Sequence, residues 1–499
     1  MYAVDAGGMR SVAPTYNLVP SPPVDPVVTD AVVATVQAGT RFGPEPVGAM
    51  AYQIGEKLAD PDLTQAQKDE YVAQLVDLTH SPGWSVLDNG KTVPELVTAA
   101  LEQVGTGDGT EESADLRDQV SAAVGRGVDA GRIDVDDLYG LVDPAVNPYS
   151  DGGRQLLSDV TDGRMLNQVA GRLLDDAKAA GYDVNDYQDG PALLVAAGDV
   201  ANMAASHGIP ASANAVVREI GRVQAAGPVA GDMTLIDAMR TFTATGPYSS
   251  LVAPDRNGFD VLAGLINAAN PNAPGIQTTT DSMFATLVRT GQSGSENGNG
   301  LGELGTYFNM NIARLNESGW RYDSAEDARE NLVQDFVSKV MLDADYPLKD
   351  QSVAAIGTEM DRLAGQLQDP ALSDDQRSAA ATGLGELVGS VKGGANDFFD
   401  ASKESKDAKI DAIRFFSDKL TGFVSSKAGP LGSLIDAGVD AGWNAGSAAL
   451  DEGIQKDVRD ALGSFYDQSN QLRVAIGDMN DATLINAYDQ RYVEHVPDK

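Results

Sequence analysis

Three histidines, His80, His207 and His495, are the chain's whole supply of imidazole, and it contains no cysteine. Zinc enzymes hold their metal through His, Cys and carboxylates at short spacings such as His-Glu-x-x-His, and none of the three lies in one. His80 precedes Ser81, Pro82 and Gly83, and His207 precedes Gly208 and Pro210. Both therefore stand where helices end, and the expected role is donation to the free carbonyls of a last turn. Without cysteine, disulfides, thiolate metal sites and cysteine nucleophiles are excluded.

Other motifs come close and stop short. Ser85 to Thr92 (SVLDNGKT) ends like a phosphate loop, but Ser85 stands where the opening glycine belongs. An Asn-Gly turn leading into a helix at Pro94 accounts for the segment. Gly291, Gln292, Ser293, Gly294, Ser295 is the nearest approach to a Gly-x-Ser-x-Gly nucleophile elbow and lacks its last glycine. Asp255, Asn257 and Asp260 echo half of a calcium-binding loop. Phe259 fills one ligand position, Asp260 replaces the turn glycine, and Ile266 stands where a bidentate glutamate is required. A capped helix start is the expected structure there, and no cofactor is expected anywhere.

The elements that would position chemistry are read from periodicity. Apolar residues recur at helical spacing through most of the chain, strand-type alternation is nearly absent, and only 6% of residues are aromatic. The expected fold is all-α: multidomain helical bundles or a helical-hairpin array with little or no β-sheet. Residues 1–30, carrying Pro14, Pro20, Pro22, Pro23 and Pro26, are expected to form a disordered leader. Residues 31–104 form an N-terminal helical domain, 105–113 a linker, 114–290 a central helical domain, 291–305 a flexible glycine-rich linker or loop, and 306–499 a C-terminal bundle. Helices are expected, among others, over 153–180, 307–315, 325–342 and 374–391.

One junction is written twice. Leu58, Ala59, Asp60, Pro61, Asp62, Leu63, Thr64, then Gln67 and Lys68, corresponds position by position to Leu367, Gln368, Asp369, Pro370, Ala371, Leu372, Ser373, then Gln376 and Arg377. Each predicts a helix stopped at an Asp-Pro turn and a second helix capped by Thr or Ser. Asp143 to Arg154 is a looser third version.

From Leu431 to Leu450, Gly438, Gly442 and Gly446 fall four residues apart with Trp443 at the edge of their face, while Asp436 and Asp440 lie opposite. Three glycines on one helical face imply close approach of another backbone, since each costs about 1 kcal/mol of propensity against alanine. Two aspartates at the bilayer centre would cost about 2.5–3.5 kcal/mol each, which argues against stable membrane insertion at neutral pH.

The net charge of −37 is dispersed along the chain. Clusters of Lys and Arg able to grip phosphate backbones are absent, so nucleic acid is not expected as a partner. No apolar stretch is long enough to span a membrane, and the N-terminus lacks a Sec-type signal pattern. The expectation that follows is a secreted or translocated bacterial effector or toxin-type protein. It would act on another protein, whether a target, a chaperone or an immunity-type partner. A carboxylate-dependent hydrolase with its site among the central helices is the alternative, and a pH-dependent membrane-active protein using residues 431–450 is the third reading.

Overall fold

A computed structural model of the chain describes residues 3–4, 10–11, 25–41, 46–80, 92–107, 109–142, 151–182, 189–229, 233–245, 258–290, 299–316, 332–402, 405–426, 430–433, 455–479 and 482–495. The fold is all-α, as the periodicity predicts. Among the described residues the one β ladder is a two-residue antiparallel pairing of Ala3–Val4 with Arg10–Ser11. By packing, the chain divides into two compact units, Met1–Thr279 and Thr280–Lys499, and residues 105–113 lie inside the first.

The first unit contains α1 (Pro26–Arg41), α2 (Pro46–Ala59), α3 (Gln65–His80), α4 (Val93–Thr106), α5 (Glu111–Asp129), α6 (Val135–Leu141), α7 (Asp151–Gln155), α8 (Gly163–Ala180), α9 (Asp189–Ser206), α10 (Ala211–Ala226), α11 (Leu235–Thr245) and α12 (Gly258–Ala268). Its innermost helix is α9, with Leu194, Ala197, Val200, Ala201 and Ala204 wholly buried and α8, α10, α11 and α12 packed around it. A helix apolar on every side must be enclosed in this way. α1 begins at Pro26, inside the proline-rich leader: Asp25 Oδ1 accepts from the Val27 N–H at 3.0 Å, and proline suits the first helical position. The expected helix over 153–180 is two helices, because Asp162 Oδ1 accepts from the N–H groups of Arg164 and Met165 and starts α8 afresh.

The chain passes between units within α13 (Ile276–Thr290). The second unit continues through α14 (Asn299–Leu315), α15 (Leu332–Phe336) with a π-helical turn at Val337–Met341, α16 (Lys349–Gln368), α17 (Asp374–Ala401), α18 (Lys406–Ser426), α19 (Lys456–Asp478) and α20 (Ala482–His495). α14 begins within the glycine-rich stretch 291–305: Leu301, Leu304 and Phe308 bury completely along one face, and Gly305 lies under the Tyr346 ring, where a Cβ would collide. The Phe308 and Phe336 rings stack at 4.0 Å, and Tyr346 meets Phe336 edge-on at 5.9 Å. The longest helix, α17, packs against α16, the π-helical turn, α18, α19 and α20.

The duplicated junction is duplicated in its hydrogen bonds. Asp60 Oδ1 accepts from the Asp62 N–H at 2.9 Å, and Asp369 Oδ1 from the Ala371 N–H at 2.8 Å. The N–H of Thr64 donates to Gln67 Oε1 and that of Ser373 to Gln376 Oε1, each at 3.0 Å, while each hydroxyl accepts from the N–H three residues on at 3.3 Å. These are reciprocal capping boxes. Packing then diverges: α16 and α17 lie along one another, whereas α2 packs chiefly on α1 and α4, and α3 on α4, α5 and α6. Residues 143–150 of the looser third version lie outside the described residues.

Of the glycine-ladder stretch only 431–433 are described, and with Pro430 they form a helical turn. Leu431 there is buried; its N–H donates to Asp361 Oδ1 at 3.2 Å, and Gln368 Nε2 donates to the Pro430 carbonyl at 2.9 Å. Gly438, Gly442, Gly446, Trp443, Asp436 and Asp440 lie outside the described residues.

Candidate functional site

Within the second unit, the end of α14, the second half of α16, the first half of α17 and α20 enclose a solvent-open cleft of about 910 Å³. Small residues on α17 keep its floor low: Ala379, Ala380 and Gly383 all face it. α20 can close one side because Gly385 has no side chain where the Tyr488 carbonyl lies. The polar groups come from separate elements. Glu359, 4% exposed, receives two hydrogen bonds from Arg362 one turn later, from Nε at 2.7 Å and Nη2 at 2.5 Å. Glu386 of α17 is also buried. Asn316, 2% exposed, donates through Nδ2 to the Gly383 carbonyl at 2.9 Å, while its Oδ1 meets no hydrogen-bond donor among the described residues. A buried amide oxygen left without a donor costs roughly 1–3 kcal/mol, and a ligand N–H entering the cleft would relieve that cost.

A second cluster lies in the first unit. Asp77 and His80 sit one turn apart at the end of α3, and Asp137 occupies the first turn of α6. One donor atom from each of the three falls within 4.8 Å of the others. His80 Nδ1 stands 3.2 Å from Asp137 Oδ1, and Asp137 Oδ2 accepts from the Asp134 N–H at 2.7 Å, completing a capping box. Burial pushes the Asp137 carboxyl up to about 6, with the Asp134 and Asp77 charges adding to the rise and the Asp134 N–H and His80 opposing it. The Asp77 carboxyl is raised as well, mainly by burial.

The residues singled out in sequence fare differently. His207 directly follows the last residue of α9, at a helix end as expected, with Gly208 at φ +80° and the Ile209 N–H returning to the Ala204 carbonyl at 3.0 Å. Thr92, the last residue of the phosphate-loop-like segment, caps α4 in a reciprocal box with Glu95. Asp260 lies half-buried in the first turn of α12; Asp255 and Asn257 are outside the described residues. His80 does end a helix, but it also faces two carboxylates that its sequence neighbourhood did not advertise. The Asp77–His80 pair, one helical turn apart, was the available signal. Asp137 lies 57 residues further on and is brought in by packing alone. The cleft left no motif, since its polar residues come from four separate segments.

No protein-family model matches the chain. No curated protein matches it. Among solved structures, an engineered protein aligns at 15% identity, covering 88% of this chain and 98% of its own, with a TM-score of 0.27. A structure of the SYS-1/POP-1 complex aligns at 11% identity, covering 96% of this chain and 90% of its own, with a TM-score of 0.30. At such scores neither likeness bears on function. Among the described residues no helix is long and apolar enough to cross a membrane.

Proposed function

We propose that the chain is a helical protein-binding scaffold whose cleft on α14, α16, α17 and α20 receives an extended, basic polypeptide segment. The observation that carries this reading is Asn316 on the wall of the open groove: its amide oxygen has no donor among the described residues, and a small movement of the side chain would let it accept from a backbone N–H. The volume lies in the range of sites that hold ligands. Glu359 and Glu386 outnumber Arg362 on the cleft wall, and the overall charge of −37 would steer a cationic segment toward it. In the cell this corresponds to the secreted or translocated effector or toxin-type protein expected from sequence.

Fluorescence anisotropy of labelled Lys- and Arg-rich peptides against the full chain, with acidic and uncharged peptides alongside, tests the reading. Basic peptides should bind, lose affinity as salt rises, and fail to bind Ala379→Trp, whose substitution fills an exposed position on the cleft. Binding undiminished in Ala379→Trp, or no preference for basic peptides, would overturn it. Location has a separate test. Export of the full chain should be compared with a form lacking residues 1–30 and one truncated before Glu452, and retention of every form in the producing cell defeats the secreted reading.

The carboxylate-dependent hydrolase expected from sequence has its site among the central helices; a hydrolase built instead on the two carboxylates of this cleft, Glu359 and Glu386, is a separate reading. It is disfavoured because both oxygens of Glu359 already accept hydrogen bonds from Arg362.

A further inference from the structure

We infer that Asp77, His80 and Asp137 form a binding site for a divalent transition metal of the zinc class, joining the last turn of α3 to the first turn of α6. This site belongs to the first unit and does not depend on the cleft.

Three features support it. First, the donors converge. His80 Nδ1 and one oxygen each from Asp77 and Asp137 lie within 4.8 Å of one another, and His80 Nδ1 stands 3.2 Å from Asp137 Oδ1. Around a tetrahedral ion with bonds of ~2.1 Å, neighbouring donors stand ~3.4 Å apart, so modest side-chain rotation brings all three onto one ion.

Second, among the described residues Asp137 Oδ1 meets no polar group except the His80 imidazole of the same set. Its side chain is 7% exposed, and Oδ1 is buried without a hydrogen bond of normal geometry among the described residues, despite the short distance to the imidazole. Its other oxygen is held by the Asp134 N–H at 2.7 Å, which fixes the carboxylate plane as an outer-shell hydrogen bond fixes a metal ligand. The convergence follows from close helix contact: Gly140, one turn after Asp137, lies where a Cβ would collide with the Thr79 side chain of α3.

Third, the charge and the donor types match. Two carboxylates and a neutral imidazole carry a charge of −2, which a divalent cation cancels. Imidazole nitrogen favours zinc and its neighbours over calcium or magnesium, which take oxygen donors. The His80 side chain remains 33% exposed, giving the ion a path in and room for water as the fourth ligand.

The test uses the full chain freed of metal by chelation. Zinc is titrated calorimetrically in excess magnesium, and cobalt serves as a visible-absorption probe. One zinc ion per chain should bind, and cobalt should give the intense bands of a low-coordinate site. His80→Ala and Asp137→Asn should each weaken zinc at least about tenfold, whereas His207→Ala should leave it unchanged. Because Asp137→Asn also touches the α6 cap, its helicity is checked by circular dichroism; His80→Ala leaves that cap intact and decides the matter alone. Zinc binding equal in wild type and His80→Ala, absence of stoichiometric binding, or a cobalt spectrum of the hydrated ion would each overturn the assignment.

Discussion

Lys392 Nζ donates a hydrogen bond to the Tyr492 hydroxyl at 2.6 Å between α17 and α20, and no part of the lysine is exposed. The ammonium also lies 4.3 Å from the Tyr466 ring centre and 4.9 Å from that of Tyr492. Aromatic faces and a hydroxyl thus replace the water that an ammonium ion normally keeps. Lys392→Ala removes both the charge interactions and the aliphatic stem and is expected to cost about 2–4 kcal/mol. Lys392→Met keeps most of the volume and should cost less. Thermal melts of the two variants give the order, and equal melting temperatures would mean that the stem contributes nothing.

Glycines within the same unit should respond in opposite directions. Gly385→Ala places a methyl against the Tyr488 carbonyl, a backbone atom that cannot turn aside, and is expected to destabilise by about 1–3 kcal/mol. Gly422 lies within α18, and among the described residues nothing comes within 4 Å of the position of a Cβ. Gly422→Ala should therefore stabilise by up to about 1 kcal/mol through helix propensity. Chemical denaturation midpoints would give both signs.

The twin junctions call for matched losses. Thr64→Ala and Ser373→Ala each remove the hydroxyl that accepts the N–H three residues on, at a cost of about 1 kcal/mol. Thr64→Ser and Ser373→Thr should be nearly silent. Urea titration of the four variants checks the pattern, and a loss confined to one junction would show that the cap is redundant at the other.

Asp397 carries a pH dependence. Burial raises its carboxyl above the usual range, and the Asp335 and Asp400 charges add to the rise, while the Gln334 hydrogen bond at 2.6 Å and Lys339 oppose it. A raised native value means that the folded protein holds the proton more tightly than the unfolded chain. Its contribution is therefore most favourable at low pH and is lost as pH rises from the ordinary carboxylate value near about 3.9 through the elevated native one. Relative to Asp397→Asn, the wild type should lose stability across that window and run parallel above it. Denaturation curves at about pH 4 and about pH 7 provide the comparison, and a constant difference between them would remove Asp397 from the account.

Legibility in the sequence followed the range of the interaction. Thr64 with Gln67, and Ser373 with Gln376, act over three residues, so the caps could be read directly. Helical periodicity gave the all-α class. The start of α14 was obscured because glycines at 300, 302 and 305 suggest flexibility, while the buried faces of Leu301, Leu304 and Phe308 become decisive only once Tyr346 arrives. Asp137 reaches His80, and Asn316 reaches Gly383, through packing between segments far apart in the chain, and neither meeting leaves a local pattern.

The Asp-Pro junction is a joint whose authority is short. It ends one helix and starts the next through the same hydrogen bonds at both sites, yet α16 and α17 run together whereas α2 and α3 take different neighbours. The eleven residues from Leu58 to Lys68 thus behave as punctuation, fixing where a sentence breaks while leaving its direction to the words on either side. A segment with that property could be moved between helical proteins as an interchangeable part, with the crossing angle left to the surrounding apolar faces.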